Sequence, residues 1–150
     1  MSLCLIRATF SLSLLCIYGW PKLSHGFAYL TAGTPWSFIA MVASLGFPFP
    51  VLFAILSTLV ETAGAAMLAA GLFTRVNSAL LAFNMAVAVW LHVRVGEETE
   101  PASLYLFWAL AMSIGGGGRY SLDAWLPDRA TVFRAGRPIR PGLVSLEEGR

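Results

Sequence analysis

Residues 51–93 read VLFAILSTLVETAGAAMLAAGLFTRVNSALLAFNMAVAVWLHV. Two apolar runs, 51–73 and 76–93, are separated within this stretch only by Thr74-Arg75. Each is close to the twenty or so residues that cross a hydrocarbon core, and so short a gap allows only an antiparallel hairpin. Lipid offers no partner to backbone N–H and C=O groups, so both runs are expected to be helices. The first carries one charge, Glu61, and the second carries none.

Working outward, two more runs have the same character. Residues 3–20 contain one charge, Arg7, and residues 102–114 contain none before the four glycines at 115–118. Pro50 and Pro101 stand where a first helical residue loses an N–H that had no partner anyway. The expected fold is therefore all-α, an integral membrane four-helix bundle. Between the first two spans, residues 21–50 are long for a connector and rich in Phe, Trp and Ile. Thr34-Pro35, the run WSFIAMVAS and then Gly46 read as cap, first turn, helix and stop, giving a short helix lying at the interface or against the bundle.

Composition agrees. Of the 150 residues, 57% are apolar and only 12% are charged, where a soluble domain has about a quarter charged. A water-soluble enzyme, a disordered chain, a collagen-like repeat and a nucleic-acid binder are excluded as classes. A net charge of +2 is too small to call for a polyanionic partner, but its placement is informative. With four spans, both termini and the 74–75 turn share one side. That side holds Arg7, Arg75, Arg119, Arg129, Arg134, Arg137, Arg140 and Arg150, against Lys22 and Arg94 on the other. The bias places both termini in the cytoplasm. Residues 127–150, rich in Arg and Pro, read as a flexible cytoplasmic tail outside a membrane domain at 1–126. No basic residue precedes the first apolar run and no small-residue cleavage pattern follows it, so this span is expected to remain attached.

Several chemistries find no support. Cys4 and Cys16 would lie about 18 Å apart along one helix, beyond disulfide reach. His25 and His92 both fall on the outer side, where a shared haem or metal would need them to converge. Interfacial histidines are ordinarily just amphipathic, so no haem and no metal are expected. The four glycines follow a membrane helix rather than a strand, so they are no phosphate cradle. They end the fourth span, and Ser121 or Asp123 would cap a short interfacial helix near Trp125.

A polar stripe remains. Arg7, Ser11, Tyr18 and Lys22 share an arc of the first helix, and Ser57, Glu61, Gly64, Gly71 and Arg75 recur along the second. Asn84 lies on the third, with His92 somewhat rotated from it. Intramembrane charges face the bundle interior and often mark function. By depth, Glu61 would be bonded by Asn84, Ser11 or Tyr18, reaching Arg7 only if the helices tilt; left unpaired, it would keep its proton. Glu61 is thus the candidate proton acceptor, with Arg7, Ser11, Tyr18, Lys22, Asn84, Arg75 and His92 as polar-core or binding candidates. Gly64, Gly71 and Gly118 are expected to serve helix packing and Asp123 to cap. The other reading of the stripe is a polar clasp that fixes helix register.

Taken in order, these pieces resemble the DoxX family of small bacterial membrane proteins. The resemblance rests on Arg7, Gly19-Trp20-Pro21-Lys22-Leu23, Leu45-Gly46-Phe47-Pro48, Glu61, Gly64, Gly71-Leu72-Phe73-Thr74-Arg75 and Gly118-Arg119-Tyr120-Ser121-Leu122-Asp123. It implies a four-helix bundle in the bacterial inner membrane and a redox context, since the family takes its name from a subunit of a thiosulfate:quinone oxidoreductase. It singles out Glu61, Arg75, Lys22 and Asp123 as family-type positions. The expected function is a small subunit or accessory of a quinone-linked membrane redox system, with lipid and protein partners and electrons supplied by a partner. The alternative is a structural or assembly subunit with no chemistry of its own. A small-molecule carrier is disfavoured by the absence of an inverted repeat.

Overall fold

A computed structural model describes residues 2–125; the tail expected at 127–150 lies outside the described residues. Every regular element within them is helical. Helix α1 (Ser2–Leu14) runs through a π segment (Leu15–Gly19) into α2 (Trp20–Ala32), and α3 (Ser37–Ser44) comes next in the chain. Beyond it lie α4 (Pro50–Leu59), a second π segment (Val60–Gly64) and α5 (Ala65–Ala70). Helices α6 (Thr74–Val95) and α7 (Glu100–Gly115) and a 3-10 turn (Leu122–Ala124) complete the described chain.

Three of these rods are long and apolar enough to cross a membrane: Leu3–Ala32, Pro50–Ala70 and Thr74–Val95. The segment expected as a fourth span forms α7, which has 16 residues and is shorter than the other three. The first rod departs from its expected end at residue 20 and continues to Ala32. Pro21 does not break it because the π segment just before it widens the turn, where a missing N–H and a bulky ring are tolerated. Residues 21–32 of the expected 21–50 connector are therefore helix.

Thr34 does not cap α3. The helix starts later, at Ser37, after Trp36 in an extended conformation (φ −112°, ψ 102°). That conformation delivers the indole to Gly26, where an added Cβ would meet it at 3.0 Å. Trp36, Val42 and Ala54 then form a small apolar cluster that ties α3 to α2 and α4. The main core, Leu14, Ala65, Leu68, Leu81, Ala82, Met85, Trp108, Ala109 and Met112, joins α1, α5, α6 and α7. Large apolar side chains such as Leu5, Phe27, Phe83, Phe107 and Ile114 face outward, a surface that water would punish and acyl chains accept.

The hairpin turn is built as the spacing demands. Gly71 ends α5 with φ 76°, and the Leu72 N–H reaches back to the Met67 carbonyl at 2.9 Å, a left-handed helix stop. Phe73 is next at φ 47°, the one non-glycine with positive φ among the described residues.

Candidate functional site

The two π segments meet. Gly19, in the first, lies so close to the second that an added Cβ would stand 2.5 Å from the Glu61 carbonyl oxygen. A π turn inserts one residue and rotates the remainder of the helix, and such turns gather at functional sites. Here it sets the Glu61 side chain inward, with 1% of the residue exposed. Lys22 Nζ donates to both carboxylate oxygens at 2.7 Å each, and Asn84 Nδ2 donates to Oε1 at 2.8 Å. The ammonium also lies 4.4 Å from the centroid of the Phe38 ring. Lys22 therefore bridges the first rod, the second rod and α3, with a compensated charge pair at the junction.

Beside the pair is a cavity of about 110 Å³ lined by Leu14, Tyr18, Lys22, Glu61, Met85, Ala88, His92, Glu98, Pro101, Ala102 and Tyr105. Tyr18 and Tyr105 meet edge-on at 5.8 Å, and Tyr105 Oη shares a 2.9 Å hydrogen bond with Ser13 Oγ. His92 Nδ1 lies 2.6 Å from the Ala88 carbonyl.

The expected partners of Glu61 divide. Asn84 reaches it and Lys22, expected only as a candidate on the outer side, is its principal partner. Tyr18 lines the same cavity without being among the carboxylate's hydrogen-bond partners. Ser11 is fully buried with its hydroxyl unpartnered. Arg7 does not reach Glu61. Its guanidinium sits at the far end, donating to the Gly117 carbonyl, to Tyr120 O at 3.2 Å and to Ala69 O at 3.5 Å. With no carboxylate among its hydrogen-bond partners, the buried guanidinium donates to backbone carbonyls, one in the last turn of α5 and two in the segment after α7.

That second cluster explains the glycines. At Gly71 an added Cβ would lie 2.7 Å from Arg7 Cζ, and at Gly117 it would lie 2.6 Å from Ser121 Cβ. Gly118 has φ +73° with Leu3 at 3.1 Å. Gly64 is different: nothing would approach its Cβ closer than 3.9 Å, so close helix packing does not require a glycine there. Asp123 caps α6 rather than its own short turn, accepting the Phe73 N–H at 2.6 Å and the Thr74 N–H at 2.8 Å. Partial burial pushes its carboxyl up, but hydrogen bonds from Thr74 and Phe73 and the charge of Arg7 outweigh it and hold the pKa below the usual range. Arg75 is exposed and lies against Gly116 at this same end, away from Glu61.

His25 is exposed, bonds to the Pro21 carbonyl at 2.7 Å and takes no part in the cavity. No cluster of three or more His, Cys, Asp or Glu residues is present among the described residues. Two contributors are absent from the candidate site residues singled out in the sequence. Tyr105 carries the same signal as Tyr18, a hydroxyl on an apolar span, and was legible by that rule. Gly19 gives no sign of the π segment that makes it necessary.

A family model described as DoxX matches residues 2–94. The chain belongs to the DoxX family. The matched region of this DoxX protein contains Lys22, Glu61, Asn84 and His92, and ends before α7. No curated protein and no solved structure matches the chain.

Proposed function

We propose that this DoxX protein is a small subunit or accessory of a quinone-linked redox system in the bacterial inner membrane, with Glu61 as its proton-accepting group. The observation that carries this reading is a buried carboxylate held by Lys22 and Asn84 on the wall of a cavity. Ionisable groups placed so deep are costly and cluster where protons or substrates move.

The residues suit a quinone headgroup. About 110 Å³ is well below the 300–1,000 Å³ of a typical ligand pocket, so it takes a single ring and leaves any tail outside. Leu14, Met85, Tyr18 and Tyr105 offer apolar and aromatic walls, while Glu61, Lys22 and His92 supply a polar edge. A quinone bound there would supply a two-electron, two-proton couple. The chain's own residues bind the ring, keep water from its apolar face and accept or return a proton at Glu61 Oε. Electrons pass to or from a partner subunit.

In this reading α7 is the fourth crossing. Phe10 stacks on Trp108 at 5.5 Å, Ser13 bonds to Tyr105 and Arg7 bonds to Gly117, so α7 shares the depth of α1 along most of its length. With four crossings, the Arg-rich side faces the cytoplasm.

A structural or assembly role is favoured by a different observation: Lys22 bonds to both oxygens of Glu61, as a register-fixing clasp would. Glu61→Gln separates the two. With a catalytic Glu61, quinone-dependent turnover of the assembled system falls by about 10²-fold or more while complex yield is unchanged. Turnover per complex at the native level, with reduced yield, assigns the assembly role instead.

A further inference from the structure

The cavity is closed at one end and open at the other. Toward Arg7 it is sealed by Leu14 and Met85, which belong to the dry core with Leu68, Leu81 and Trp108. These side chains are between 0% and 8% exposed. At the opposite end the wall is made by Glu98 and Pro101, both exposed, in and just after the turn between α6 and α7. His92 stands between that mouth and Glu61.

The imidazole is oriented for proton exchange. A carbonyl can only accept, so the 2.6 Å contact with Ala88 O assigns the ring proton to Nδ1 and leaves the Nε2 lone pair free. Nε2 faces the exposed Glu97, whose Oε2 is 3.9 Å away. The charged and titratable groups around this space are Tyr18 and Lys22 from the first rod, Glu61 from the second, Glu97 and Glu98 from the turn, and Tyr105 from α7. Glu61 itself is shielded, with Lys22 and Asn84 on its oxygens.

We propose that the Glu61 cavity exchanges protons with a single aqueous face, the one bearing the α6–α7 turn, and that His92 Nε2 is the group through which the proton passes. A proton from water at the mouth adds to Nε2 and leaves from the same Nε2 to water in the cavity toward Glu61, while Nδ1–H stays on the Ala88 carbonyl and the starting tautomer is restored; the reverse path returns the proton and no electron moves. Volume for a few water molecules is present. Toward the opposite face Leu14, Leu68, Leu81 and Met85 pack between Glu61 and the Arg7 cluster, in a layer that also holds the buried hydroxyls of Ser11 and Ser78, so a proton leaving that way would have to cross tightly packed apolar side chains. Of the proposed function, this exchange requires only that Glu61 handles protons. Neither of its tests involves a quinone, so it stands or falls separately from the redox reading.

Sidedness is tested in the full-length chain with Cys4 and Cys16 replaced by serine, reconstituted in sealed vesicles. Single cysteines at Glu98 and Arg75 mark the two faces, and Ala88→Cys and Ala102→Cys report the cavity. The expected result is that a small, charged, membrane-impermeant methanethiosulfonate modifies the two cavity positions only from the face that modifies Glu98→Cys. Modification from the Arg75 face, or reaction solely with a lipid-soluble maleimide, overturns the proposal.

His92 is tested by infrared spectroscopy. Lys22→Gln removes the cation from Glu61, so that a protonated carboxyl band appears that is missing in Lys22→Gln/Glu61→Gln. The rate at which this band shifts on transfer to D2O should fall at least about tenfold when His92→Leu is added; an unchanged rate overturns the relay. Should Lys22→Gln fail to fold, ¹⁵N spectra of the histidine-labelled chain carrying His25→Asn test the same point. They should show His92 protonated on Nδ1 when neutral, and an Nε2–H tautomer refutes it.

Discussion

Lys22 Nζ lies 2.7 Å from each carboxylate oxygen of Glu61, across 39 positions of sequence. The pair fastens the outer half of the first rod to the middle of the second. Breaking it from one side leaves the other charge without compensation, so Lys22→Met alone should cost about 3 kcal/mol. Lys22→Met/Glu61→Leu should recover most of that loss. Thermal unfolding in detergent over the full double-mutant cycle measures the coupling; additive losses would show that the pair contributes nothing.

The two glycines flanking this site should respond very differently. Gly19→Ala places a methyl 2.5 Å from the Glu61 carbonyl and should destabilise by about 1–3 kcal/mol through forced separation of the π segments. Gly64→Ala meets nothing closer than 3.9 Å and should change stability by less than about 1 kcal/mol. Parallel melts of the two variants check the contrast.

Asp123 supplies a pH signature. Its pKa is lowered in the folded chain, so its contribution is fully present above the ordinary carboxylate range and is lost as pH falls through the lowered folded value. Asp123→Asn keeps one acceptor oxygen and loses the other, so it should lower stability at neutral pH by about 1 kcal/mol for the one lost hydrogen bond, and flatten the decline seen on acidification. Melting temperatures of both proteins from neutral to acid pH should converge at the acid end.

Arg7 makes its hydrogen bonds to carbonyls of Ala69, Gly117 and Tyr120 at once. A lysine cannot present that planar set of donors. Arg7→Lys should cost about 2 kcal/mol or more and loosen residues 116–120 from α1, which limited proteolysis in the glycine run reports as faster cleavage.

The hairpin at 74–75 and the burial of Arg7, Ser11 and Glu61 were legible because each obeys local rules: apolar length and the expense of charge in lipid, whereas the glycine stop at 71 lay inside what reads as a continuous span. The partner of Glu61 was not legible either. Lys22 comes after a Gly-Trp-Pro stretch that reads as a span end, and only the π segment at 15–19 carries the helix past it. Nothing in residue type marks a π turn, whose extra residue is stabilised by the segment opposite, at Gly19 and Glu61. The site of Arg7 was hidden for a related reason. Its partners are backbone carbonyls in the last turn of α5 and in the segment after α7, more than sixty and a hundred residues away, which no residue type announces.

The first rod has 30 residues against 21 in the second, about 45 Å against about 31 Å at 1.5 Å per residue. Standing upright, two such rods do not fit one hydrocarbon slab of about 30 Å. The longer one leans or protrudes, to a degree set by bilayer thickness. Lys22 rides on the rod that must adjust and Glu61 on the one that already matches. Any lean of the first rod is therefore expected to act at the ion pair, and unfolding measured in bilayers of different acyl-chain length would read that coupling.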